Sequence, residues 1–410
     1  MHCSLTALVM VVPLVACAPP ATVGAHDSSD VDPSCDAPGC LRAIADLDSF
    51  TREDIEPFLF AGVTIDNGYR VLTIEYATGG RSSTATVTLP IDLRSAAPEQ
   101  GFPVVVNAHG TIGLEDPCRI SGTISGTGLA GLFGARGAIG IAPDYPGLGT
   151  QGLHPYLDAR SEGESVLDGI RAALLLARRE GIPVTGKSAI VGLSQGGHAV
   201  LSAAALHQSY APELDIRAFA ATAPASVYQE HWRPGVLVSG PHLSLFALLA
   251  YSWAAQSGAL GADIWAPGLA KDIEALVTSR CQWSPAFAEE PLLTDAISQV
   301  PSEVFSPTFL AAFSTGQWPA SLAFMGERFA RNRVEPFQPS APIRIWQGTH
   351  DVVVLPTMTE ELVFDLRSGG VDIELTLVAN GTHIDTAFGF LAFPERATTE
   401  SIAWVHAHLR

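Results

Sequence analysis

Basic residues are scarce in this chain. It carries 23 Lys and Arg against 42 Asp and Glu, a formal net charge of −19 over 410 residues, and no basic patch interrupts that balance. Phosphates would be repelled, which excludes a nucleic-acid partner. Charged residues of either sign make up only 16% and hydrophobic residues 47%, a composition that excludes a disordered chain. Internal repeats are absent, so a solenoid is excluded too. No apolar run is long enough for a membrane span: the N-terminal run 5–15 is too short, and the apolar stretch 243–255 is short and preceded by Pro241 and His242. What is left is a well-buried globular protein. Its length exceeds the usual single core, so one large domain with an insertion, or two domains, is expected.

Cysteines are few, six in all. Residues 1–17 read as an export signal whose apolar run ends in Leu14-Val15-Ala16-Cys17. Small residues before a cysteine at that point resemble the bacterial lipobox, which implies acylation of Cys17 and a cell-envelope location. The leader has His2 but no Lys or Arg, so ordinary cleavage and secretion is the alternative. Residues 18–40 read as a tether rich in Ala, Pro, Asp and Ser. Cys3 leaves with the signal. Cys35, Cys40, Cys118 and Cys281 then allow three disulfide connectivities. The short loop between Cys35 and Cys40, bent by Pro38-Gly39, suggests one local bridge and therefore Cys118–Cys281 as the other. An exported protein meets the oxidising conditions that permit both. A zinc site is disfavoured because Cys35 and Cys40 have no second pair at ligand spacing.

The stretch that organises the rest is Gly192-Leu193-Ser194-Gln195-Gly196. It lies between an apolar run, 188–191, that reads as a buried strand and a small-residue stretch, 197–206, that reads as a helix. A strand–turn–helix of this kind strains the serine backbone and lifts its hydroxyl clear of the sheet, and glycine on either side avoids a clash with neighbouring chain. Chance is the competing reading, since the chain has 38 glycines. A hydroxyl is a poor nucleophile at neutral pH and needs a base, a carboxylate to orient the base, and donors for the oxyanion.

From Tyr69 the pattern becomes regular. Residues 70–76 and 84–89 alternate around Thr78-Gly79-Gly80 and predict an antiparallel hairpin. Residues 104–108 are apolar almost throughout and run into His109-Gly110-Thr111; residues 138–142 form a similar strand ending in Pro143-Asp144-Tyr145-Pro146-Gly147. Helical spacing follows over 164–179. Strands alternating with helices imply an α/β fold, a mostly parallel central sheet with helices on both faces. In this order, ending at the serine turn, the chain resembles the α/β-hydrolase superfamily over roughly residues 69–410. The motifs Pro143-Asp144-Tyr145-Pro146-Gly147-Leu148-Gly149 and Leu167-Asp168-Gly169-Ile170-Arg171-Ala172-Ala173 are most similar to the secretory lipase family that includes fungal lipase A enzymes.

The resemblance implies an acid after a later strand and a histidine after the last one. Residues 342–348 predict a strand leading to Asp351; a helix over 357–367 and a strand over 372–378 then lead to Gly381-Thr382-His383. The expected triad is Ser194, Asp351 and His383. His350 is the rival base and Asp385 the rival acid, although two residues from His383 it is badly placed to reach the ring. Gln195 N–H, just after the nucleophile, and by resemblance Thr111 N–H are the expected oxyanion donors. His109 is expected to order the turn.

The domain reading is a signal with lipobox at 1–17, a tether at 18–40, core at 41–223, a cap or lid insertion at 224–341, and core again at 342–410. The expected activity is cleavage of small-molecule or lipid carboxylic esters, with no metal or organic cofactor implied. A serine peptidase, which would ask Glu289, Glu290 and Glu327 to bind a peptide N-terminus, an acyltransferase, and a non-catalytic surface lipoprotein are the alternatives. Acyl-chain preference and oligomeric state are not encoded in these motifs.

Overall fold

The computed structural model describes residues 31–56, 65–93, 101–261, 263–283, 292–385 and 396–410. The leader and Cys17 lie outside the described residues, as do Glu289 and Glu290.

Among the described residues nine strands form one sheet in the order β1-β2-β3-β5-β4-β6-β7-β8-β9. They are β1 (Leu41–Phe50), β2 (Tyr69–Thr78), β3 (Arg81–Pro90), β4 (Phe102–Ala108), β5 (Ile139–Pro143), β6 (Val184–Leu193), β7 (Asp215–Thr222), β8 (Ile343–Gly348) and β9 (Ile373–Val378). The first three and β5 pair antiparallel. From β5 through β4 to β9 every pairing is parallel. Every residue of β4 and β5 is buried, as a strand covered on both faces requires. The sheet begins earlier than the hairpin at Tyr69: β1 adds an antiparallel edge strand, half of whose residues are exposed.

Counting helices of eight residues or more, the described chain has α1 (Ile124–Gly134), α2 (Ala159–Arg179), α3 (Gln195–Tyr210), α4 (Gln229–Val236), α5 (Leu243–Gln256), α6 (Ala270–Val277), α7 (Pro307–Thr315), α8 (Ala323–Asn332), α9 (Pro356–Ser368) and α10 (Arg396–Leu409). One face of the sheet packs Val104, Val106, Ile190 and Phe219 against α2, α3 and α9 through Val166, Ile170, Val200 and Leu362. The opposite face packs Val105, Val191 and Ala220 against Leu132 and Phe133 of α1 and Ile402 and Val405 of α10. The chain therefore leaves β4 on one face to reach β5 and returns on the other to reach β6. Such a reversal opens a crevice beyond the carboxyl ends of those strands.

Between Thr222 and Ile343 the described residues hold helices α4–α8 and no strand of the sheet. This insertion has its own apolar core of Phe246, Trp253, Phe305, Phe309, Phe313 and Phe329, with Trp253 and Phe329 ring centres 4.8 Å apart. α5 ties it to the sheet-side loop through Trp253 Nε1–H, which donates to the Tyr156 carbonyl at 2.9 Å, and the Ser252 hydroxyl, which donates to the His154 carbonyl at 2.8 Å. A disulfide joins Cys118, below the turn after β4, to Cys281 in the insertion; a second closes Cys35–Cys40. Both are the pairs expected from the cysteine spacing.

Candidate active site

Ser194 sits at the end of β6 with φ 59° and ψ −115°, a conformation that costs a non-glycine residue about 1–3 kcal/mol. Three backbone bonds hold it there. Its N–H donates to the Thr222 carbonyl (2.9 Å), and its carbonyl accepts from Ala225 N–H (3.0 Å) and from His198 N–H (3.0 Å) in the first turn of α3. Glycine is required close by: a Cβ on Gly196 would collide with the Ala108 carbonyl, and one on Gly192 with the Gly196 carbonyl. Strain gathers around this end of the sheet. Among the described residues the other non-glycine positive φ values are at Tyr145, Leu157, Ala223 and Asn380, all in loops following strands at this carboxyl edge or feeding the helices below it.

Asp351 and His383 are brought together at the ends of β8 and β9. Asp351 is buried; its Oδ1 accepts Val353 N–H (2.8 Å) and Val354 N–H (2.9 Å), and its Oδ2 faces His383 Nδ1 at 2.7 Å. Gln347 Nε2 also donates to Oδ2 (3.2 Å) and is itself fixed by the Thr359 hydroxyl, which donates to Gln347 Oε1 at 2.6 Å. His350 uses its backbone N–H to hold the Gly381 carbonyl (2.9 Å), and its side chain is exposed. Asp385 accepts Thr382 N–H at 2.7 Å and so closes the histidine's turn. Asp351 and His383 are thus joined by a 2.7 Å hydrogen bond.

The turn after β4 lies beside the serine: a Cβ on Gly110 would stand 3.7 Å from Ser194 Cβ. His109 Nδ1 reaches the Gly110 carbonyl at 2.6 Å and its Nε2 the Asp144 carbonyl at 3.3 Å, which orders the turn. Burial lowers the His109 pKa. Thr111 Oγ1 shares a 2.8 Å hydrogen bond with the Tyr156 hydroxyl. Asp144 accepts Ile120 N–H, Ser121 N–H and the Thr84 hydroxyl within 2.6–2.9 Å; burial pushes its pKa up, and its task is to pin the loop to the hairpin. Glu327, asked to bind a peptide N-terminus, lies on α8. Among the described residues no group of three or more metal-ligating side chains is assembled, and no helix is long and apolar enough to cross a membrane.

Comparison with known proteins bears on the fold. Solved structures similar over most of the chain include a hydrolase candidate from Legionella pneumophila (TM-score 0.74, 21% identity, 90% of this chain and 98% of that one). Another is a ligand-bound form of the rice cell wall degrading esterase LipA from Xanthomonas oryzae (TM-score 0.72, 19% identity, 91% and 97%). The chain has the α/β-hydrolase fold. In sequence it is similar to the secretory lipases, whose family model matches residues 126–229. Lipase A of Moesziomyces aphidis is 33% identical over 104 residues, 25% of this chain; the match spans about a fifth of that relative's length (21%). The stretch matched by the family model, residues 126–229, contains α2, the serine turn and α3.

Several residues around this candidate site escaped the sequence motifs. Gln347 is a strand-end residue with nothing to mark it, and Tyr156 belongs to an irregular loop. Glu162 and His198 stand one turn into α2 and α3, and their burial is visible only once the two helices pack. The one usable signal was Asp158 three residues before Ser161, a helix-start pattern: Ser161 N–H donates to Asp158 Oδ1 at 3.0 Å.

Proposed function

We propose that this protein is an exported carboxylic-ester hydrolase acting through Ser194, His383 and Asp351 with an acyl-enzyme intermediate. One observation carries the reading. A strained serine at the end of β6 shares the carboxyl edge of the sheet with a histidine paired to a buried carboxylate at 2.7 Å.

With Nδ1–H donated to Asp351, His383 presents Nε2 as the base. Ser194 Oγ attacks the ester carbonyl while its proton passes to Nε2. The C–O bond to the alcohol then breaks as His383 returns that proton to the leaving oxygen. Water, deprotonated by the same nitrogen, attacks the acyl-serine and releases the acid. Gln195 N–H and Thr111 N–H are assigned as the donors to the oxyanion, each worth on the order of 10²–10³ in rate. The Tyr156 hydroxyl supports this assignment by fixing the Thr111 side chain.

Residues 224–341 are assigned as the cap over the site. Its apolar core suits an insertion that shapes an acyl-binding wall. Export is supported by the two disulfides, which persist in oxidising compartments, and by the resemblance to secretory lipases. Cleavage of the leader with acylation at Cys17 extends the same proposal.

The experiment is hydrolysis of p-nitrophenyl esters from acetate to palmitate by the chain from Ser34 onward, beside Ser194→Ala. Turnover in the parent that vanishes in the variant supports the reading, and the length profile separates an esterase from a lipase. A folded parent that cleaves none of these esters overturns it.

A further inference from the structure

Beneath the serine turn lies a buried polar network that the proposed chemistry does not use. Glu162 in the first turn of α2 and His198 in the first turn of α3 are both fully enclosed, as are Gln195 and His154. Glu162 Oε1 accepts Leu157 N–H at 3.0 Å and Gln195 Nε2–H at 2.8 Å, and its Oε2 meets His198 Nδ1 at 2.6 Å. His198 Nε2 reaches across to the Asn332 carbonyl of α8 at 3.3 Å. Gln195 Nε2 spends its second hydrogen on His154 Nε2, 2.7 Å away.

These contacts fix the protons. His154 must accept at Nε2, so it carries hydrogen on Nδ1 and donates it to the Pro146 carbonyl at 3.2 Å. That neutral form agrees with burial depressing its pKa to about 3. Both nitrogens of His198 face acceptors, so Glu162 and His198 hold two protons between them and no net charge. Stability alone gives little reason to keep such a pair, because apolar side chains of similar volume in a buried ion-pair site are often neutral or stabilising. Its position supplies the reason. Gln195 directly follows Ser194, and His198 N–H closes the turn on the Ser194 carbonyl.

We infer that Glu162 is a positioning residue. By clamping the Gln195 side chain and the His198 ring, it sets the tilt of the first turn of α3 and aims the Gln195 N–H at the oxyanion. The inference rests on the reading of Ser194 as nucleophile and Gln195 N–H as donor. The Gln195 side chain then matters through direction, although only its backbone would meet the substrate. A donor turned out of line forfeits part of the 10²–10³ such a group supplies, so a loss of about tenfold to a hundredfold in kcat is expected.

The test uses purified full chain, with kcat and KM for p-nitrophenyl butyrate and the affinity for phenylboronic acid, whose serine adduct carries a tetrahedral oxygen. Gln195→Met removes the clamp and leaves the backbone in place. It should lower kcat about tenfold to a hundredfold, keep KM within about twofold and weaken the boronic acid in parallel. Glu162→Leu should do the same, and Glu162→Gln, which still accepts from Leu157 and donates to His198, should recover most of the loss. Wild-type kcat in Gln195→Met overturns the inference. So does a loss carried by KM, or by a smaller folded fraction with unchanged boronic-acid affinity per folded molecule. If Glu162→Leu does not fold, Gln195→Met decides. The underlying reading fails differently, through a parent without esterase activity or an active Ser194→Ala, and either result takes the inference with it.

Discussion

His383 Nδ1 lies 2.7 Å from Asp351 Oδ2, while the other oxygen of that carboxylate is held by two backbone N–H groups. The backbone bonds fix the carboxylate independently of the histidine. Asp351→Asn can therefore keep the loop while turning an amide toward the ring, and the ring must then take the wrong tautomer. We expect kcat on p-nitrophenyl butyrate to fall by roughly 10⁴ with KM little changed. His350→Gln alters an exposed side chain and should leave turnover near that of the parent. The reverse ranking would transfer the base assignment to His350.

The Cys118–Cys281 bridge closes a loop with a sequence separation of 163, against 5 for Cys35–Cys40. In the chain-entropy account the stabilisation rises with the logarithm of loop length, to about 5 kcal/mol for the long loop and about 2 for the short one. Removing the long bridge also frees Gln282, whose N–H donates to the Ile112 carbonyl at 2.9 Å just after the proposed oxyanion turn. Cys118→Ser with Cys281→Ser should lower the urea midpoint much more than Cys35→Ser with Cys40→Ser, and only the former should depress kcat. Equal midpoint shifts for the two pairs would refute the ordering.

Two glycines should respond to alanine with opposite sign. A Cβ on Gly196 meets the Ala108 backbone oxygen, which cannot swing aside; Gly196→Ala should cost at least about 3 kcal/mol and abolish turnover. Gly128 lies within α1, with nothing within 4 Å of an added Cβ, so Gly128→Ala should stabilise by about 0.5–1 kcal/mol. Urea unfolding of both variants checks the pair.

The parts of this fold legible in the sequence were those with one dominant force. β4, β5, β6 and β8 carry short apolar runs because helices cover both faces, and the serine turn and Asp351 each follow such a run; His383 follows β9, an edge strand marked instead by the alternation of Ile373, Leu375 and Leu377. α1 was illegible for the opposite reason. Its sequence, ISGTGLAGLFG, is a poor helix former, yet Gly126, Gly131 and Gly134 let the helix press onto Thr86, Tyr69 and Thr88, where a Cβ would collide. Tertiary contact there overrides propensity. β1 was missed because two bulges break its alternation and, at the sheet edge, half of its residues are exposed. Glu162, His198 and Asp144 were invisible as a class: helical or loop spacing says where a charged residue sits along the chain, and only packing says that it is buried.

His406 tests how burial links protonation to stability. It lies in α10 with Nε2 enclosed and without a hydrogen-bond partner among the described residues. Burial, with a smaller contribution from Arg136, depresses its pKa to about 4. The folded value lies below the ordinary histidine value of about 6.5. As pH falls through 6.5 the unfolded chain takes up a proton that the folded chain refuses, so stability is lost on acidification until pH reaches about 4, with a slope of at most about 1.4 kcal/mol per pH unit. His406→Leu removes this one contribution and leaves every other buried group unchanged. The stability difference between variant and parent should therefore shift steadily in the variant's favour, by up to about 3 kcal/mol between pH 7.5 and pH 4, while esterase activity at pH 8 stays the same. Urea unfolding of both proteins across that range decides the matter, because a difference that does not change with pH would mean that His406 protonates in the folded protein as readily as in the unfolded chain.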